Sequence, residues 1–394
     1  MHSESILEVN LDRIAANLSA LKQKAQRPVW AVVKANAYGL GAVPVAKRLA
    51  AEVEGFCVAT PSEALELAEA GLRKPILVFG YVAPEDREAM IQAGIRPALS
   101  TLEEARAWDQ AAASMHMRHP VHIALDTGHR RIGFASEEAS SIEAICTIAA
   151  LPNLYIEGMY SHFSTADEPN EPREEQRTNF PNQFAMLQLR RFKNVAAKLE
   201  EAGVKIPVRH IANDAGFMTF EPDELFEAVR PGIGLYGHYP SEAVRAYTEV
   251  QLQVPYRWTA PVSRVKWMDA GESVGYGRTW ISTRPTRVAT VQVGYADGYP
   301  RLLSNRAVML VQGVACPVIG RVCMDQVMLD ITDAPDIAVG ERVLVMGAPD
   351  WETPRVPAGL SADDLADQAE TISYEMLTNI AARVERRYIS GSCR

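Results

Sequence analysis

Lys34 stands at the end of the apolar run Val29-Trp30-Ala31-Val32-Val33 and is followed by Ala35-Asn36-Ala37-Tyr38-Gly39. An ammonium at the mouth of a hydrophobic strand is partly desolvated, which lowers its pKa. A lysine with a lowered pKa can serve as an amine nucleophile or base, as Schiff-base chemistry requires. The same residues also fit a strand-end lysine whose stem packs while its ammonium reaches water. Asp126, Arg131, His162, Asn213 and Arg230-Pro231-Gly232-Ile233 likewise fall at or just beyond the ends of apolar runs. His162 reads either as a proton carrier or as a satisfied core histidine, and Arg230 either as a ligand-binding cation or as a structural ion-pair partner. Tyr276, between Gly275 and Gly277, belongs on an exposed tight loop. Its phenol, of pKa about 10, becomes a base only where a neighbour lowers that value.

Eight apolar runs carry these residues: 29–34, 55–60, 75–80, 96–100, 121–127, 154–163, 208–213 and 229–236. Helical stretches lie between them at 43–54, 62–71, 85–94 and 102–113. The longest, 182–203, puts Leu189, Phe192, Ala196 and Leu199 on one face. Eight strands alternating with helices predict a (β/α)8 TIM-type barrel over residues 1–240, whose reactive groups gather at the C-terminal strand ends. Gly232 lets backbone N–H groups approach a ligand phosphate closely in the loops after strands seven and eight. Gly232-Ile233-Gly234-Leu235-Tyr236-Gly237 is formally GxGxxG, but His238-Tyr239-Pro240 follows where a dinucleotide fold needs a helix, so that reading is rejected.

Beyond residue 240 the texture changes. Runs at 287–294, 307–311, 327–331 and 342–346, spaced by proline and glycine, predict a smaller mostly-β domain over 241–394. It should end in a helix over 374–384, after a helix start at Ser361-Ala362-Asp363-Asp364. Residues 5–10 alternate like a strand and could pair with this second domain. A net charge of −9 and a pI near 5.5 exclude a nucleic-acid partner. Five scattered cysteines without a CxxC fit neither a disulfide framework nor a zinc site, and suit a reducing cytoplasm. Neither a secretory leader nor a membrane-spanning run is expected, and the eight histidines show no metal cluster.

Five blocks occur in order: Ala31 to Gly41, Val229 to Gly237, Gly271-Glu272-Ser273-Val274-Gly275-Tyr276-Gly277, Gly294 to Arg301, and Gly320 to Gln326. Together they resemble the alanine racemase family nearly end to end. That resemblance implies pyridoxal 5'-phosphate as cofactor, an amino acid as substrate and a homodimer with Tyr276 contributed across the interface. It implies Lys34 as the cofactor's covalent anchor and one catalytic base, with Tyr276 as the base on the opposite face. Arg230 would meet the pyridine nitrogen, and a cationic His162–Arg230 pairing would lower the pKa of Tyr276. Tyr38, Gly232, Ile233 and Tyr374 would hold the phosphate, together with Asn213-Asp214. Arg131 and the backbone of Met324 would orient the substrate carboxylate, and Tyr295 would line the entrance.

Three positions depart from the family pattern. Ala124 stands where many members have a carbamylated lysine that braces the arginine, so Arg131 needs an ion, a water or another acid, or is looser. Asp214 stands where a serine usually meets the phosphate, so its carboxylate should turn away and cap the next helix while its N–H serves the ligand. His129-Arg130 adds charge near Arg131. These departures bear on substrate preference and cofactor affinity. They keep open a serine-preferring or broader amino acid racemase beside one that supplies D-alanine for the cell wall. A non-catalytic cofactor carrier would lack the β domain and Tyr276, and a metal-assisted lyase would need a metal cluster.

Overall fold

Short, largely buried runs form the parallel strands of the first part of the chain. The computed structural model describes residues 4–170, 180–353 and 355–391. After β1 (Ile6–Asn10) come β2 (Trp30–Val32), β3 (Gly55–Val58), β4 (Ile76–Val78), β5 (Arg96–Leu99), β6 (His119–Asp126), β7 (Phe134–Ala135), β8 (Leu154–Tyr160) and β9 (Val208–His210). The parallel order is β2-β3-β4-β5-β6-β8-β9, with the short β7 beside β6. Seven of the eight expected runs contain these barrel strands.

The eighth run, 229–236, is corrected. Val229 makes one parallel bridge to Val29, and β2 donates from Trp30 N–H to the Val229 carbonyl and from Val32 N–H to that of Pro231, both at 2.9 Å. On the other side Arg230 N–H donates to the Ala212 carbonyl. These bonds close the parallel sheet into a barrel. Pro231 has no N–H to extend the ladder, and Ile233–Tyr236 turns as a 3-10 helix instead.

The connecting helices carry the start signals their sequences promise. Thr60 with Glu63 and Thr101 with Glu104 form capping boxes, and Asn182 caps Gln183–Glu201. Leu11–Ala25 and Ala139–Ala149 add to the helices expected.

The second part is strand-rich: β10 (Tyr256–Met268), β11 (Ser273–Val274), β12 (Trp280–Ile281), β13 (Thr286–Val291), β14 (Val308–Val311), β15 (Val314–Ile319), β16 (Val327–Asp330), β17 (Arg342–Gly347) and β18 (Glu385–Ile389). Its main sheet runs β13-β16-β15-β14-β17-β10-β1-β18, and β10 also pairs with β13, closing a mostly antiparallel barrel. β1 lies antiparallel to β10 and parallel to β18. The helix expected over 374–384 is shorter, Ser373–Thr378, and the chain then enters β18. Arg386 donates to the Gly39 carbonyl, tying β18 to the turn after Lys34.

Candidate active site

Lys34 begins the turn after β2, and its ammonium opens into a cavity of about 350 Å3 at the C-terminal ends of the barrel strands. Tyr38, Arg131, His162, Asn213, Asp214, Arg230, Gly232 and Tyr374 line the same cavity. Burial pulls the Lys34 ammonium below its ordinary pKa. Arg131 and Arg230 add to that shift, while Glu63 and Cys57 oppose it.

The turn that aims Lys34 is left-handed. Ala35, Asn36, Ala37 and Tyr38 have φ of 51°, 55°, 52° and 55°, a conformation L-residues adopt reluctantly. Glu63 accepts from Ala35 N–H at 2.6 Å, and the Asn36 side chain accepts from Ala42 N–H at 2.8 Å. Gly39 ends the turn at φ 86°, where a Cβ would meet the Leu377 carbonyl oxygen. The Tyr38 ring packs between Tyr236 and Tyr374, with centroids 4.9 and 5.9 Å away.

Arg230 is buried and its fork is almost fully committed. Nη1 donates to His210 Nδ1 at 2.8 Å and to the His210 carbonyl at 2.9 Å. Nη2 donates to the carbonyls of Ser161 and Ile211 and to His162 Nδ1 at 3.3 Å. Its Nε–H makes no hydrogen bond among the described residues. Burial lowers the guanidinium to about 10, which leaves it charged at neutral pH.

Arginine can only donate, so His210 accepts at Nδ1 and carries its proton on Nε2. That proton goes to His122 Nδ1 at 3.0 Å, and His122 Nε2–H then donates to Glu157 at 3.2 Å. Arg96 closes the chain with two bonds to the Glu157 carboxylate, at 2.9 and 3.0 Å. Sequence reasoning missed His122, His210, Glu157 and Arg96. The available signal was a histidine inside each of two strand runs, His122 in 121–127 and His210 in 208–213.

The same logic corrects the expected cationic histidine. Arg230 donates to His162 Nδ1, so a neutral His162 holds its proton on Nε2. Burial first, then Arg230, Arg131 and His129, keep its pKa well below the ordinary value. Asn213 Nδ2 lies 3.5 Å from that Nε2, donor facing donor, so the N–H stays free for another acceptor. The charge of the pair belongs to Arg230.

Asp214 departs from expectation in two ways. Asn213, not Asp214, caps the helix Asp214–Thr219 by accepting from Gly216 N–H. The Asp214 carboxylate does not turn away: it accepts from Gly232 N–H at 2.7 Å and Gly234 N–H at 3.2 Å. Burial pushes it up to about 7, although those two bonds pull the other way.

Arg131 is exposed at the cavity and has no hydrogen bond or acidic partner among the described residues. Ala124 is buried in β6 and offers it nothing. His129 packs edge-on against His162 with centroids 5.7 Å apart. Asp126 faces its own loop, accepting from Gly128 and Arg130 N–H.

Tyr276, Tyr295 and Met324 do not line the Lys34 cavity in the single chain. They are 69%, 42% and 52% exposed. Tyr295 N–H donates to the Cys323 carbonyl and Ala296 N–H to that of Met324, so these two loops are joined. Gly275 packs against Arg321, joining the Tyr276 loop to the same group. The chain therefore presents two separate clusters.

The residues fit pyridoxal phosphate. A desolvated lysine, an arginine with one uncommitted N–H, two tyrosines and a glycine-rich turn converge on one cavity of suitable size. No group of three or more His, Cys, Asp or Glu side chains could hold a metal ion among the described residues. No described helix is long and apolar enough to cross a membrane.

Comparison with known proteins places this geometry. Residues 9–240 match the alanine racemase N-terminal domain and residues 256–388 the alanine racemase C-terminal domain. An alanine racemase of Clostridium novyi is 39% identical over 98% of this chain and 95% of that protein. The structure of an alanine racemase of Clostridium difficile 630 superposes with a TM-score of 0.89 at 34% identity, covering 98% of this chain and 96% of that one. A Bartonella henselae alanine racemase with covalently bound pyridoxal phosphate gives a TM-score of 0.82 at 28% identity, over 98% of this chain and all of that one.

Proposed function

The chain belongs to the alanine racemase family of pyridoxal-phosphate enzymes, and on that footing we propose that it interconverts L- and D-alanine with Lys34 and Tyr276 as its two bases. The observation that carries this reading is the single cavity that holds a desolvated Lys34 beside Arg230, His162 and Tyr38. Racemisation needs a proton taken from one face of the α-carbon and one returned on the other, so two acid–base groups must flank it.

When bound, the cofactor delocalises the charge left by the departing α-proton. Tyr38 and Tyr374 hydroxyls and the backbone N–H of Ile233 would hold its phosphate over the turn at Gly232, whose own N–H is taken by Asp214, beside Asn213. Lys34 Nζ would anchor it and, once released, carry a proton on its own face. Arg230 would offer its free Nε–H to the ring nitrogen. As a permanent cation held by fixed acceptors, it can share a hydrogen bond there but cannot readily give up the proton. The unpartnered Arg131 would take the substrate carboxylate with the Met324 backbone, and Tyr295 would line the entrance.

Tyr276 must then reach the cavity from a second copy of the chain, in a homodimer whose partner presents the Tyr276, Tyr295 and Met324 cluster. There the free Nε2–H of neutral His162 can donate to the phenol oxygen. That bond, with Arg230 behind it, favours the phenolate and makes Tyr276 a base. The product D-alanine would serve cell-wall peptidoglycan, and four free cysteines suit a reducing cytoplasm (Cys393 lies outside the described residues).

A second reading, a racemase that prefers serine or accepts basic amino acids, is favoured by one observation: Arg131 has no acid to brace it beside Ala124. Offering L-alanine, L-serine, L-lysine and L-arginine in deuterated water with added cofactor tests both. Chiral chromatography and mass spectrometry read product handedness and α-deuteration. Alanine far ahead supports the first reading, and serine or a basic amino acid ahead supports the second. No exchange with any of the four overturns both.

A further inference from the structure

The Asp214 carboxylate occupies the floor of the cradle in which the proposed function puts the cofactor phosphate. One oxygen accepts from Gly232 N–H at 2.7 Å and the other from Gly234 N–H at 3.2 Å. The backbone is shaped for this. A Cβ on Gly234 would lie 2.5 Å from Asp214 Oδ1, so any side chain there would collide with the carboxylate. A Cβ on Gly232 would lie 2.6 Å from the Tyr38 hydroxyl and 3.5 Å from Asp214 Oδ2, which puts that oxygen and that phenol on the same side of the turn. Asp214 is 5% exposed, and its residual opening is to the cavity it shares with Tyr38 and Tyr374.

A phosphate monoester loses its second proton near pH 6 and then carries two charges. Two anions in one small site cannot both ionise fully, and the usual resolution is a proton held between them. We propose that Asp214 positions the cofactor phosphate by sharing one proton with it, so that the bound pair carries one negative charge fewer than the separate groups. Binding then takes one proton from solvent: carboxylate plus phosphate dianion plus H+ gives a single O–H···O contact, with no other bond made or broken. The carboxyl stays seated on Gly232 and Gly234 through its remaining lone pairs.

The surroundings supply no other proton for this at neutral pH. Tyr38 and Tyr374 share the cavity with Asp214, Tyr236 donates its hydroxyl to the Val32 carbonyl, and burial, with the carboxylate itself, raises all three phenols. Asp167 and Asp363 raise Tyr374 further through their charges. Lys34, Arg131 and Arg230 are the cations of the same cavity, and burial already lifts Asp214 toward neutrality.

This inference rests on the proposed cofactor site, and two measurements on the holoenzyme separate their failures. The first is the 31P chemical shift of bound pyridoxal phosphate between about pH 6 and about pH 9, which reads the ionisation of the phosphate. The second is the equilibrium dissociation constant of pyridoxal phosphate, from fluorescence quenching over the same range. In the wild type the bound phosphate should titrate at higher pH than the free cofactor. Its dissociation constant should rise about tenfold per pH unit above neutrality, as uptake of one proton requires. In Asp214→Asn and Asp214→Ser the phosphate should stay dianionic and the pH slope should vanish; Ser covers the case in which Asn disturbs the turn. A dianionic, pH-flat phosphate in the wild type overturns the inference while leaving the cofactor site intact. Failure of the wild type to bind the cofactor at all overturns both.

Discussion

Replacing Ala35 by glycine should stabilise the protein, against the usual sign of such a change. Ala35 sits at φ 51°, ψ 47° in the left-handed turn after Lys34, and its methyl group is exposed. A non-glycine residue in that region costs about 1–2 kcal/mol. Glycine removes this strain but adds about 0.5–1 kcal/mol of conformational freedom to the unfolded chain. The Ala35 N–H bond to Glu63 is kept, and almost no apolar contact is lost. The net expectation is a gain of about 0.5–1 kcal/mol. Ala197→Gly, at an exposed position inside the right-handed helix Gln183–Glu201, should instead lose about 1 kcal/mol. Urea unfolding at one protein concentration, with both variants beside the wild type, reads the two shifts. Equal losses at both positions would refute the claim that the turn stores strain.

The proposed two-base arrangement gives directional expectations. Tyr276→Phe should suppress α-deuterium exchange of L-alanine far more than that of D-alanine, and equal losses in both directions would contradict the assignment. Lys34→Ala should lose both retained cofactor absorbance and activity. Mixing it with Tyr276→Phe should restore about a quarter of the sites if each site draws on two chains, and none if Tyr276 acts within its own chain. Glu157 offers a pH test. Burial raises its carboxyl, but bonds from His122 and Arg96 outweigh that and hold it at about 2. Its stabilisation is therefore complete above its ordinary value and lost as pH falls toward about 2. Glu157→Gln should cost about 3 kcal/mol near neutrality and progressively less in acid, measured by unfolding midpoints across pH. A pH-independent loss would count against the ion pair as the cause.

Much of the barrel was legible because buried parallel strands are written as short apolar runs, several of them closed by a glycine or a capping Thr-x-x-Glu. The segment 229–236 misled because Val229 and Ile233 look like strand residues, while Pro231 between them has no N–H to continue a ladder. The helix over 374–384 was overextended because Glu385–Ile389 becomes a strand only through pairing with β1, a partner 379 residues away in the chain (Ile6 to Glu385). Lys34, Arg230 and His162 could be placed from strand ends alone, while Tyr38 was reached only through the family resemblance. Asp214 could not: its type announced an anion, but only the backbone course at Gly232 and Gly234 decides whether that anion caps a helix or sits in the cradle. Tyr276 was legible as an exposed loop residue, and its distance from the Lys34 cavity is a fact of tertiary structure.

The buried relay explains why the site can tolerate so much positive charge. Lys34, Arg131 and Arg230 share one cavity with a single carboxyl, Asp214. If the histidines were also protonated, like-charge repulsion in a low-dielectric interior would be severe. Donor direction prevents this. Arg230 commits its Nη hydrogens to fixed acceptors, which sets the tautomer of His210, which sets that of His122, which ends on Glu157 and Arg96. Each histidine passes a hydrogen bond without holding a charge, and burial lowers the pKa of both. The chain thus links Arg230 to a counter-charge at Glu157 while the cavity itself remains cationic. Reversing one link would leave two donors or two acceptors facing each other in a dry barrel, at a penalty of about 1–3 kcal/mol. The relay therefore holds Arg230 rigid and charged, and burial together with that charge keeps the neighbouring His162 neutral, with its Nε2–H free to donate.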